Sequence, residues 1–420
     1  MKLKVRQSGL NGTIEIPASK SHTIRAVVLA SLAGGTSEIL NPLDSADAIS
    51  ARDACRALGA DIEENKSWKV RGFAGVPRPS QNRIDVGNSG TTLRIVASVA
   101  ALGDREIIFD GDESIRKRPM QPLINSLNDL GAAARSIRGN GSCPISVRGR
   151  MAGGVTTVDG ITSQYLSSLL ISCPLAENDT HIAVRDLHEK PYVGMTLRWL
   201  DRQGIRYENR AFSEFHVYGN QEYKGFKERV PADFSSATFP LCAAAITDSD
   251  ITLKGLDMDD AQGDKAVIGM LRSMGADITE TARGIRVKGG ELTGTELDLN
   301  DTPDALPALA VVGTFAKGKT ILKNVSHARI KETDRIAAMA SELARMGADI
   351  KERPDGLIIK KSSLTGCSVH GYSDHRIVMA LSLAGMMAGG ITEIDTADSV
   401  GVTYPGYIKD MASLGAGFSQ

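Results

Sequence analysis

Leu271-Arg-Ser-Met-Gly-Ala-Asp-Ile278 and Leu343-Ala-Arg-Met-Gly-Ala-Asp-Ile350 carry one phrase written twice, its glycines 72 residues apart by subtraction. In each copy a helical pattern ends at the glycine and a β-like segment follows. The glycine is therefore a helix C-cap: it supplies the left-handed backbone that stops the helix and carries no chemistry. Working outward, Leu-Gly-Ala or a variant of it recurs at Gly59, Gly131, Gly204 and Gly415, so the six glycines stand 72, 73, 71, 72 and 68 residues apart by subtraction. That spacing marks an internal repeat of about seventy residues.

Two further phrases recur with it. One is a short β-branched strand: GTSEI from Gly35, DREII from Asp104, DTHIAV from Asp179, SDITL from Ser249, GKTIL from Gly318 and GGITEI from Gly389. The other is an apolar helix opened by polar residues, as SKSHTIR, NSGTTLR, TSQYLSS, FSSATFP, TPDALPA and SDHRIVM. The unit is helix, strand, helix, then two strands, an α/β architecture repeated six times. The sixth copy stops at Gln420 without its last strand, which Lys2–Gln7 is expected to supply. Three repeats to a domain give one domain at 19–230 and a second made of 1–18 plus 231–420. The pattern breaks at Lys227–Pro231, and a second crossing falls at Ile16–Ala18. A double crossing implies a hinge with the active site in the cleft.

Apolar residues at 42% and charged residues at 24% describe a globular chain. A net charge of -1 provides no global field for nucleic acid or an anionic membrane, so any anion site must be local. Five dispersed cysteines without a CxxC or Cys/His cluster argue against a disulfide framework or structural zinc, and fit a reducing cytoplasm. The start lacks a signal-peptide core and no run approaches 18 apolar residues; the richest, Ile377 to Gly390, is expected to be a buried helix. Neither a P-loop nor a GxGxxG helix opening is present.

A buried apolar helix still presents unpaired N–H groups and a partial positive charge at its first turn, and several such ends together bind phosphate. The openings carry Lys20, Ser21 and Arg25; Asn88, Ser89, Gly90 and Thr91; Thr162, Ser163 and Gln164; Asp304; and His375 with Arg376. Ser, Thr, Asn and Asp are common N-caps whatever the function. Three basic clusters are harder to explain that way: Lys20 with Arg25 on an apolar helix, Arg116-Lys117-Arg118 before Pro119, and Lys331, Glu332 and Arg335 in RIKETDR. The last trio is expected at a helix start, with Lys331 and Arg335 on one face and Glu332 beside them as a proton carrier.

At SKSHTIR, GNSGTTLR, RKRP, KETDR and DHR the sequence resembles the 5-enolpyruvylshikimate-3-phosphate synthase family, over nearly its whole length. The resemblance implies a two-domain inside-out α/β barrel and transfer of the enolpyruvyl group of phosphoenolpyruvate to shikimate 3-phosphate. It implies that Lys20, Ser21, Arg25, Thr162, Ser163 and Gln164 contact the acceptor phosphate, while Asp304 and Lys331 grip ring hydroxyls. Lys20, Asn88, Gly90, Arg118, Gln164, Arg335, His375 and Arg376 would hold phosphoenolpyruvate. Asp304 is the implied base, and Glu332 or Lys20 the implied proton donor to carbon. No metal or organic cofactor is implied, and the working form is expected to be a single cytoplasmic subunit without nucleic-acid or membrane partners. Three positions depart from the family pattern: Val402 where a lysine is usual, Glu189 where Ser or Arg is usual, and His327 for an asparagine. An acidic Glu189 beside a phosphate is unfavourable, so it is expected to point away. The rivals are the sister enzyme that uses UDP-N-acetylglucosamine and a non-catalytic repeat scaffold.

Overall fold

The six polar phrases open helices at Lys20–Leu32, Gly90–Ala100, Ser163–Ser172, Phe234–Ile246, Leu306–Phe315 and His375–Met387. These are the inner helices of a computed structural model that describes every residue from Met1 to Gln420. Almost every side chain on them is buried, as required of helices without a polar face. All six repeat glycines adopt positive φ, from 69° at Gly204 to 110° at Gly59, and so end their helices as expected.

Each repeat contributes to a four-stranded sheet. In the first, Thr36–Leu40 pairs antiparallel with Ser67–Arg71, which continues as a hairpin to Asp61–Glu64, and parallel with Lys227–Arg229. The fourth, parallel strand is missing from the helix, strand, helix, two-strand pattern. It is supplied by Asn11–Glu15, Arg83–Asp85, Gly154–Asp159, Lys227–Arg229, Glu296–Asp298 and Ser368–Val369 in the six sheets. These edge strands are mostly too short to show an alternation of period two.

Strand pairing closes each trio of repeats. Lys227–Arg229, after the third repeat, returns to Thr36–Leu40 of the first, and Asn11–Glu15 pairs with Asp250–Lys254 of the fourth. Leu3–Arg6 lies between Ile391–Ile394 and Gly417–Ser419, antiparallel to both, and takes the place of the strand that the sixth repeat lacks. The chain thereby divides into two compact units, Lys20–Val230, and Met1–Ser19 with Pro231–Gln420.

In the Lys20–Val230 unit the helix Gly90–Ala100 packs on both Lys20–Leu32 and Ser163–Ser172. Small polar side chains seal that contact: Ser168 Oγ donates to the Arg94 carbonyl at 2.6 Å, and Ser98 Oγ to the Ser168 carbonyl at 2.9 Å. In the other unit the helices Phe234–Ile246, Leu306–Phe315 and His375–Met387 each contact the other two within one apolar core, which Leu3 and Val5 enter fully buried. Leu3→Ala should therefore lower the unfolding free energy of the full chain in urea by about 3 kcal/mol. Its exposed neighbour Lys4, paired with Glu393 only at 3.7 Å, should tolerate alanine within about 0.5 kcal/mol.

Candidate functional site

In the Lys20–Val230 unit the bland N-cap role is real. Ser89 Oγ accepts from the Thr92 amide at 3.3 Å, and Thr162 Oγ1 from the Gln164 amide at 3.5 Å. Side chains then tie the helix starts to one another. Gln164 Nε2 donates to Thr91 Oγ1 at 3.2 Å, joining Ser163–Ser172 to Gly90–Ala100. Thr92 Oγ1 donates to the Asp47 carbonyl at 3.4 Å, while the Asp47 carboxylate accepts from Lys20 Nζ at 3.0 Å, joining the start of Lys20–Leu32. Three positive helix ends are thus gathered with four cations: Lys20, Arg25, Arg94 and Arg118.

The basic cluster before Pro119 splits in two. Arg116 binds both oxygens of Asp110 at 2.9 Å, and this pairing pulls the Asp110 carboxyl down to about 2. Arg118 is instead buried and donates to Asn88 Oδ1 at 3.0 Å and Ser114 Oγ at 3.1 Å. A Cβ on Gly90 would stand 2.6 Å from Arg118 Nη1 and 3.3 Å from Arg94 Nη1. Glycine at this helix start is what lets the two guanidinium groups lie over it.

Arg25 is 2% exposed, and its hydrogen bonds go only to neutral oxygens. Those are Thr196 Oγ1 at 2.8 Å, the Ser21 and Tyr192 carbonyls at 3.0 Å each, and Ser167 Oγ at 3.5 Å. Burial lowers its pKa to about 10, which leaves it charged at neutral pH. A desolvated cation without a carboxylate is the electrostatic condition that an anionic ligand relieves.

Glu189 does not point away. Only 2% exposed, its Oε2 accepts from Ser163 Oγ at 2.7 Å, the Ser163 amide at 3.2 Å and Thr162 Oγ1 at 3.4 Å. The expectation weighed only repulsion between anions; the partial positive charge and unpaired amide of this helix start attract the nearest carboxylate.

The other unit gathers the opposite charge balance. Arg335, 1% exposed, donates to Asp304 Oδ1 at 2.7 Å, Glu332 Oε2 at 2.6 Å and both oxygens of Asp374 at 2.8 and 3.2 Å. Burial disfavours its charge, but the three carboxylates outweigh that and hold its pKa above that of an ordinary arginine. Arg376 Nη2 lies 2.8 Å from Asp304 Oδ2, so both oxygens of Asp304 face guanidinium groups. His375 is buried at the start of its helix, with Nδ1 3.9 Å from Asp374 Oδ1. No group of three or more His, Cys, Asp or Glu side chains is arranged to hold a metal ion.

Lys331 and Arg335 do not share a helix face. The helix is Arg335–Arg345, capped by Asp334 onto the Ala337 amide at 3.0 Å, and Lys331 lies in the turn before it. The Asp334 cap sets the start four residues later than the spacing suggests. Three residues have structural roles here that the sequence reading did not assign, two of them inside quoted motifs and Asp47 outside them all. Arg94 donates to Gln164 Oε1 at 2.6 Å and stacks on Tyr165 at 5.3 Å, Asp47 holds Lys20, and Asp374 both caps its helix and anchors Arg335. A charged residue inside an otherwise apolar helix was the available signal for Arg94. Asp47 offered none, because its partner is 27 residues away.

Comparison with known proteins shows the family of the chain. Residues 5–411 match the family model of EPSP synthase (3-phosphoshikimate 1-carboxyvinyltransferase). A 3-phosphoshikimate 1-carboxyvinyltransferase of Ruminiclostridium cellulolyticum is 51% identical over 99% of both chains. One of Acetivibrio thermocellus is 52% identical over all of this chain and 99% of its own. Among solved structures, an EPSP synthase from Acinetobacter baumannii superposes with a TM-score of 0.83 at 27% identity, covering 100% of this chain and 99% of that one.

Removing Asp374 should be costly, because it strips two hydrogen bonds from a buried guanidinium and one from a helix start. Asp374→Ala is expected to lower stability by about 3 kcal/mol in urea unfolding. Asp110→Asn, which weakens the half-exposed Arg116 pair, should cost about 1 kcal/mol or less.

Proposed function

The chain belongs to the EPSP synthase (3-phosphoshikimate 1-carboxyvinyltransferase) family, and from that premise we propose how its residues divide the work. As a member it transfers the enolpyruvyl group of phosphoenolpyruvate to the 5-hydroxyl of shikimate 3-phosphate, releasing phosphate by addition and elimination through a tetrahedral intermediate. Family and relatives alike carry the shikimate name, so UDP-N-acetylglucosamine is not favoured as acceptor.

Both substrates are polyanions, and the observation that carries the assignment is the buried, carboxylate-free Arg25. We assign the acceptor phosphate to Arg25, Lys20, Ser21, Thr162, Ser163 and Gln164, where a helix N-terminus and a guanidinium act together. Phosphoenolpyruvate falls to Arg118, Asn88 and the bare backbone of Gly90 beneath the guanidinium groups, with Lys20 and Gln164 between the two substrates. Arg335, Arg376 and His375 are the residues of the other unit that we assign to phosphoenolpyruvate. Arg335 must then exchange part of its carboxylate shell for the incoming anion.

Asp304, with Lys331, takes the ring hydroxyls. Asp304 removes the 5-hydroxyl proton. Glu332, one oxygen of which is held by Arg335, or Lys20, held by Asp47, delivers a proton to the methylene carbon. The cations stabilise the negative charge on the intermediate and on departing phosphate. The proposed working form is a single cytoplasmic subunit, in keeping with five free cysteines and a near-zero net charge.

Phosphate release from phosphoenolpyruvate should occur with shikimate 3-phosphate and not with UDP-N-acetylglucosamine; the reverse result would overturn the acceptor. Lys20→Ala and Arg118→Ala should each lower kcat/KM by roughly 100-fold, on the order of 3 kcal/mol. Gly90→Ala pushes on the movable end of Arg118, so it should raise the KM for phosphoenolpyruvate about tenfold while the KM for shikimate 3-phosphate changes less than about twofold.

A further inference from the structure

We infer that Glu189 is a built-in competitor for the acceptor's phosphate, occupying its donors in the free enzyme and leaving only for a dianion. The inference rests on the assignment of the acceptor phosphate to Thr162 and Ser163. Three donors that meet Glu189, the Ser163 amide and the hydroxyls of Ser163 and Thr162, belong to the residues assigned to that phosphate. A phosphate and a carboxylate cannot share them, because two desolvated anions at one helix start repel each other.

The placement is built rather than incidental. Glu189 is the residue before the helix Lys190–Arg202, yet its side chain does not cap that helix. Its backbone is left-handed, at φ 57° and ψ 40°, a conformation that a non-glycine residue holds only where the surroundings enforce it. That turn sends the carboxylate to a neighbouring helix, Ser163–Ser172. Arg25 meanwhile donates to the Tyr192 carbonyl, three residues beyond Glu189, and to Ser167 in the same neighbouring helix, with no carboxylate on it. Glu189 therefore satisfies the helix start and leaves the buried guanidinium uncompensated.

A phosphate dianion has the charge and the oxygens to satisfy both at once, whereas a monoanionic group gains little over the carboxylate already present. Exchange makes the acceptor pay a displacement cost, so its apparent affinity lies below the intrinsic affinity of the emptied site. An acceptor without its phosphate has nothing to put in place of Glu189. The residue thus acts as a specificity determinant for phosphorylation of the acceptor.

The test is steady-state kinetics on the full chain with Glu189→Gln and Glu189→Ala, together with calorimetric titration of inorganic phosphate in the absence of substrates. Both variants should lower the KM for shikimate 3-phosphate by roughly fivefold to tenfold and tighten phosphate binding by a similar factor, with the KM for phosphoenolpyruvate unchanged within about twofold. The glutamine variant keeps the size and an acceptor oxygen, so it reads the charge even if alanine impairs folding. An unchanged or higher KM for shikimate 3-phosphate in Glu189→Gln would overturn the competitor. Ser163→Ala made in the Glu189→Gln background separates the two claims: a KM for shikimate 3-phosphate raised above that of Glu189→Gln keeps the phosphate site whatever Glu189 does. A KM unchanged from that of Glu189→Gln rejects the phosphate site, and the competitor with it.

Discussion

Six helices buried on every side leave the amides of their first turns without partners inside the helix, and those amides constrain the rest of the molecule. Burying the flanks requires sheets to cover them, and covering them three at a time brings the helix starts together. Each gathered start must find acceptors. The Lys20–Val230 unit uses hydroxyl caps from Ser89 and Thr162 and borrows the carboxylate of Glu189. The other unit uses aspartates, with Asp233 and Asp374 capping two of its three inner helices.

That difference sets the electrostatics of the two units. Arg25 and Arg335 are the same residue type, both almost wholly buried, yet their pKa values move in opposite directions. Arg25 sees hydroxyls and carbonyls, which compensate hydrogen bonds but not charge. Arg335 sees three carboxylates. One unit therefore holds a buried cation without a carboxylate, and the other a buried cation enclosed by three. In a chain with a net charge of -1, such local arrangements and not a global field set the electrostatics.

Much of this was legible in the chain. The repeat glycines are fixed in period by their C-cap role, and the six polar openings mark real helix starts, four of them through a side-chain cap, because capping chemistry is local. The pairing of Leu3–Arg6 into the sixth sheet follows from counting strands per repeat. The parallel edge strands were not legible, being short and paired with segments from the next or a distant repeat. Nor was the position of Lys331, because the Asp334 cap overrides a helical spacing that the residues otherwise satisfy.

By itself the sequence determined the repeat, the helix ends, the residue types gathered at them and the family. These depend on contacts within a few residues or on patterns that survive in one dimension. Only the tertiary structure decided which charges meet. That Asp47 takes Lys20, that Arg335 is enclosed by Asp304, Glu332 and Asp374, and that Glu189 turns onto Ser163 are facts about groups 3 to 39 residues apart. In a buried site the energy of a charge depends on its partner's distance and on the water excluded around both, and neither quantity is written along the chain.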